Sequence, residues 1–276
     1  MTGHYNLCVH AHFYQPPRED PFTGEIPEEK GASPHKNWNE KIFEECYKPN
    51  ALLGNFSNIS FNLGPTLSQW MKANHPGVLD LIVNADSVNL KRFGVGNAMA
   101  QPYHHTILPY AKRRDKQTQV RWGIHEFTHT FHHAPKGMWL PETAVDLETL
   151  EVLASNGIEF TILAPWQAQT HGLDLRKAYQ VILPNHENIK VFFYHGGVSS
   201  RVSFDANSTV NADEFIRDYI RPEFLHGSID QLIMVATDGE LYGHHQVFRD
   251  KFLSQMINGS LNLQNIEATF PAVWLQ

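Results

Sequence analysis

Tyr5-Asn-Leu-Cys-Val-His-Ala-His-Phe-Tyr-Gln-Pro-Pro17 is an apolar run of strand length that breaks into a polar, aromatic cluster and then a proline pair. The same figure returns at Gly137-Met-Trp-Leu-Pro-Glu142, Phe160-Thr-Ile-Leu-Ala-Pro-Trp166, Lys190-Val-Phe-Phe-Tyr-His195 and Leu232-Ile-Met-Val-Ala-Thr-Asp-Gly-Glu240. The runs predict strands over residues 5–12, 59–63, 137–140, 160–164, 190–194, 232–237 and 266–270. Between them lie helical patterns over 38–47, 66–74, 77–90, 118–132, 146–156, 212–225 and 247–257. Thr143 and Asn211 read as helix starts, and Asn156-Gly157 as a stop. Strands separated by helix-length segments mean parallel βαβ units, in a barrel or a doubly wound sheet. In such a barrel the active site sits at the carboxyl ends of the strands, where each polar cluster falls. The figure spans the chain, so residues 1–276 read as one domain. The long loop over 16–37 exceeds ordinary connections and reads as a flap beside the site.

Composition narrows the chemistry. Twenty-two Lys and Arg against 29 Asp and Glu leave a net charge of −7, which excludes nucleic-acid binding driven by clustered positive charge. No apolar run is long enough to span a membrane. The first residues lack the features of a signal peptide, and two cysteines do not make a disulfide framework, so a cytoplasmic address is expected. Seventeen histidines are the excess to be explained.

Some of them form a decoy. His125-Glu-Phe-Thr-His129 matches the zinc-protease helix, yet no glycine turn leads to a third ligand and Pro135 soon ends the segment. Val120, Ile124, Phe127 and Phe131 fall at helical spacing, which leaves these histidines on a neighbouring, solvated face. His10 and His12 differ: period two puts both on one face of a strand, as metal ligands, sugar-hydroxyl partners or core histidines. Glu142 stands beside Trp139 at one strand end, and Asp238 and Glu240 stand at another. Two carboxylates at one barrel mouth with aromatic neighbours fit glycoside chemistry, in which one attacks and the other acts as acid, then base. Singly, each also reads as a cap or a turn residue.

At these residues the sequence resembles glycoside hydrolase family 57, the α-amylase and 4-α-glucanotransferase family. His10-Ala-His-Phe-Tyr-Gln-Pro16, Gln101-Pro-Tyr-His-His-Thr-Ile-Leu-Pro109, Gly137-Met-Trp-Leu-Pro-Glu142 and Thr237-Asp-Gly-Glu-Leu-Tyr-Gly-His244 follow its regions in order. The fuller wording, His12-Phe-Tyr-Gln-Pro-Pro-Arg-Glu19 with Trp38-Asn-Glu40 and Glu44-Glu-Cys-Tyr47 downstream, is similar to a branch of long proteins with an extra domain of unknown function after the barrel. The resemblance implies an α/β fold, an incomplete TIM-like (β/α)7 barrel with parallel strands, and a retaining enzyme on α-glucans or maltooligosaccharides, with Glu142 as nucleophile and Asp238 as acid/base. It implies no metal and no cofactor. His10, His12 and His105 are expected to contact sugar hydroxyls, Trp139 to form a stacking wall, and Glu240 and His244 to stand close by. Two features depart from the family. The helical domain that usually follows the barrel is expected to be missing, and Gly96-Asn-Ala-Met99 lacks the glutamate of the family's Gly-Asn-x-Glu region. Two other readings fit the same residues: a metal-dependent carbohydrate deacetylase-like hydrolase using His10, His12 and Asp238, and a glucan-binding barrel without turnover.

Overall fold

The computed structural model describes residues 4–276. Its strands are β1 (Tyr5–Phe13), β2 (Ser60–Leu63), β3 (Ala98–Met99), β4 (Phe160–Leu163), β5 (Tyr179–Ile182), β6 (Asn188–Phe193), β7 (Gln231–Asp238) and β8 (Ile266–Ala268). β3, β2, β1 and β7 lie side by side and parallel. β8 pairs with the first residues of β1, on the edge that β2 occupies further along. β4 and β6 are parallel, with β5 antiparallel on the outer side of β6. Single bridges from Ala100 to Met138 and from Gly137 to Phe160 join the two sheets through the segment around Met138. On the far side His195 N–H reaches Met234 O at 2.7 Å and Leu232 N–H reaches Arg176 O at 2.9 Å. The result is an incomplete α/β barrel whose wall is mostly parallel.

Alternation explains where the core sits. Side chains on a strand point to opposite faces in turn. In β1, Leu7, Val9, Ala11 and Phe13 join the apolar layer beneath the helices, whereas Cys8 joins the inner cluster with Trp139, Met234 and Phe192. β7 divides likewise, with Ile233 and Val235 outward and Leu232, Met234 and Ala236 inward. Burying each such aliphatic side chain contributes roughly 1.5–3 kcal/mol.

The helices carry readable signals. Asn211 caps its helix by accepting from the Asp213 and Glu214 amides, and Gly157 ends Leu147–Ser155 at a φ of 83°. The start of Leu147–Ser155 corrects the expectation. Its cap is Asp146, which accepts the Thr149 amide at 2.7 Å, because Thr143 itself holds a left-handed backbone. The helix Gly196–Phe204 is not announced, since Gly196 and Gly197 are poor helix formers; His195 starts it by accepting the Val198 amide at 3.2 Å. β3 is too short to read, and β5, half exposed on an edge, is also missed. The expected strand over 137–140 is reduced to its two bridges.

The helix Arg113–Phe131 buries Val120, Phe127 and Phe131. His125, His129 and His132 are exposed, and His129 Nε2 accepts from Lys72 Nζ at 2.9 Å, so the zinc-protease motif is a solvated face. Among the described residues no helix is long and apolar enough to cross a membrane.

Candidate active site

Register sets the site in two steps up the barrel. His10 pairs with Ser60 on one side and Ala236 on the other; two residues later His12 stands between Asn62 and Asp238. These inner-face positions continue the apolar column of Cys8 and Met234 and replace it with polar groups at the carboxyl ends. There they meet a cleft of about 590 Å³ lined by His12, His105, Glu142, Asp238, Glu240 and His244. Tyr14, Gln15, Arg18, Trp38, Ile42 and His245 complete its lining. Arg18 brings the start of the long 16–37 loop to the cleft, which gives that loop a border on the site.

Glu142 reaches the cleft from a left-handed backbone, φ 55° and ψ 19°. Such a conformation costs a non-glycine residue on the order of 1–3 kcal/mol and persists only where the surroundings enforce it. Here Leu140 and Pro141 on one side and Thr143 on the other are buried. Asp238 ends β7 and opens into the same space. Loss of water at this position raises its carboxyl above the usual range, and the neighbouring Glu142 charge adds to the effect. Burial pushes the His105 imidazole down, partly offset by Glu142 and Asp238.

The histidines behind the cleft are neutral. Burial, with the neighbouring histidine, lowers both His10 and His12 to about 3. His10 lies wholly beneath the surface and does not line the cleft, where a sugar contact had been expected. Trp139 also departs from expectation. Its indole is 6% exposed and stacks on His10 at 4.7 Å and His12 at 5.5 Å, so it backs the histidines instead of forming a wall for a ligand. The aromatic rings that line the cleft belong to Tyr14 and Trp38, both half-buried and neither expected there from the sequence. Tyr14 stacks on His105 at 4.2 Å.

Residues 9–271 match the sequence profile of Glycosyl hydrolase family 57. The chain belongs to that family. It is 22% identical over 143 residues to an α-amylase of Pyrococcus furiosus, covering 51% of this chain and 21% of that protein. In structure it resembles the 4-α-glucanotransferase from Thermococcus litoralis, with a TM-score of 0.76 at 17% identity over 99% of this chain and 40% of that one. A GH57-type branching enzyme from Pyrococcus horikoshii gives 0.74 at 14% identity, over 98% and 70%. The matched stretch, about half of this chain, thus spans about a fifth of the length of the amylase.

Within this family 57 barrel, Gly96-Asn-Ala-Met99 lies away from the cleft. Asn97 is buried beneath β3, donating to Phe56 O at 2.6 Å and Ile59 O at 2.5 Å. Glu240 is buried in the lining of the cleft and braces its loop, accepting from Tyr47 Oη at 2.6 Å and from the Tyr14 amide at 3.2 Å. His244 Nδ1 lies 2.5 Å from Glu45 Oε2, on the helical run that starts at Trp38. The loop turns at Gly243, φ 140°, where a Cβ would stand 2.2 Å from Glu45 O. Gly243→Ala combines backbone strain with a clash against backbone, so a loss of roughly 2–5 kcal/mol is expected from urea unfolding.

Proposed function

We propose that this barrel acts on α-glucans as a retaining hydrolase or transglycosylase. Glu142 attacks the anomeric carbon, and Asp238 protonates the departing oxygen and then takes a proton from water or an acceptor sugar. The observation that carries the reading is the pairing of Asp238 with His12 at the barrel mouth, in the one cleft that also holds Glu142. An acid must keep its proton near neutral pH; Asp238 stays open to the cleft, and its partial loss of water beside a second carboxylate shifts it in that direction. Retention calls for carboxyl groups about 5–5.5 Å apart, whereas inversion needs about 6.5–9.5 Å.

A metal-dependent reading of His10, His12 and Asp238 finds little support in the side chains. Each nitrogen of both rings already has a protein partner: Ser60, Asn62 or His105. Incubation with maltoheptaose decides between the readings. Shorter products mean hydrolysis and a longer ladder means transfer. Proton NMR of the first product is expected to show the α-anomer, and EDTA to leave the rate unchanged. A β-anomer first would remove the double displacement, and binding without products would leave a glucan-binding barrel.

A further inference from the structure

Five polar side chains form one row from the barrel interior to the cleft: Ser60, His10, Asn62, His12 and His105. The row has a consistent proton order. Asn62 Nδ2 lies 2.7 Å from Gln101 Oε1 and 2.9 Å from His12 Nδ1, which uses both of its protons. His12 Nδ1 lies 2.9 Å from that donor and 3.1 Å from Asn62 Oδ1; accepting across the shorter contact, its neutral ring carries the proton on Nε2 and donates to His105 Nε2 at 3.1 Å. Asn62 Oδ1 accepts from His10 Nε2 at 3.2 Å, and His10 Nδ1 accepts from Ser60 Oγ at 2.9 Å. In this order each ring holds one proton, and the His12 Nδ1–Asn62 Oδ1 contact at 3.1 Å is the one that carries none. With its Nε2 accepting, a neutral His105 carries its proton on Nδ1.

We propose that Asn62 is a positioning residue whose amide fixes His12 in the Nε2–H tautomer and, through it, holds His105 as an acceptor on the cleft wall. A carboxamide offers a donor and an acceptor in one plane, which the two rings facing it require. Register places it there: Asn62 pairs with His12 in β1 and stands two residues beyond Ser60, the partner of His10. The low proton affinity of the two buried rings supports a row of neutral members. Fixing His105 matters because it touches Tyr14 on one side and faces Glu142 and Asp238 on the other. A reversed order would turn its Nε2 into a donor and leave a lone pair on Nδ1. The effect on turnover rests on the glucan reading of the cleft; the proton order does not.

The test uses the full chain with 15N-labelled histidine, at pH 7 and without substrate. Long-range 1H–15N spectra are expected to show His10 and His12 as Nε2–H and His105 as Nδ1–H. Ionised, the carboxylate of Asn62→Asp has no proton to give, so His12 is expected to move its proton to Nδ1 and His105 to Nε2. With circular dichroism unchanged, kcat on maltoheptaose is expected to fall about tenfold or more, with KM within threefold. A wild-type His12 protonated on Nδ1 overturns the proposal, as does a His12 tautomer that Asn62→Asp leaves in place. An inverted His12 with unchanged kcat overturns the positioning role. Should Asn62→Asp fail to fold, the wild-type spectrum still decides the proton order. Wild-type protein without activity would sink the glucan reading and leave that spectrum to be judged alone.

Discussion

Glu142→Gln is expected to lower turnover of maltoheptaose by about 10⁴-fold or more, the scale seen when a residue that forms a covalent intermediate is removed. Asp238→Asn is expected to cost roughly 10²–10⁴-fold, the usual contribution of a proton-transferring group. The two losses should separate with the leaving group. A glucosyl fluoride departs without a proton, so Asp238→Asn should recover most of its rate of glycosyl-enzyme formation on that substrate. Glu142→Gln should recover none, because the nucleophile is needed whatever departs. Glutamine has the shape of glutamate and must occupy the same left-handed backbone, φ 55° and ψ 19°. The stored strain therefore stays, and thermal unfolding should match the wild type within a degree or two. Equal recovery of both variants on the fluoride would exchange or abolish the assigned roles.

Much of this arrangement was legible because strands write their faces in period two. The alternation in Tyr5–Phe13 puts His10 and His12 on the inner face, and that in Gln231–Asp238 puts Asp238 there too. The carboxyl-end rule then gathers these residues with Glu142. What escaped belongs to tertiary packing. Asn62 looks like any polar residue in a short strand, and only its pairing opposite His12 makes it a hub of hydrogen bonds. Trp139 was expected to face a ligand because an indole beside a carboxylate does so in many sugar sites, but two histidine rings occupy its face first. Trp38 reaches the cleft from a helix that follows the long loop, a placement that periodicity cannot supply. The adjacent pair His244-His245 was a usable signal, and only its first member was taken up.

The pH dependence of stability should centre on Glu240. Burial raises its carboxyl from an ordinary 4.5 to about 7, although Tyr47 and the Tyr14 amide donate to it and hold the rise back. The folded chain therefore binds this proton more tightly than the unfolded one. Below about pH 4.5 the group is protonated in both states and costs nothing. As pH rises from there towards 7 the unfolded state alone loses its proton, stability falls, and above 7 the difference levels off at about 3 kcal/mol. Glu240→Gln removes the titration and keeps an acceptor for both donors. The wild-type unfolding free energy minus that of Glu240→Gln, from urea titrations between pH 4 and 8, should fall by about that amount, other titrating groups cancelling. Tyr47→Phe gives the sign a second check. Tyr47 also accepts from Gln15 Nε2 at 3.0 Å, and Gln15 in turn accepts from Arg18, which pairs with Glu29 at 3.1 Å. Without the hydroxyl, Glu240 loses a donor that favours its charged form, so the fall should extend to higher pH. The 16–37 loop, tied to the same chain of bonds, should become more open to proteolysis. A difference curve that is flat from pH 4 to 8 would mean that Glu240 titrates in the folded chain as it does in the unfolded one, with water or an unrecognised donor reaching it.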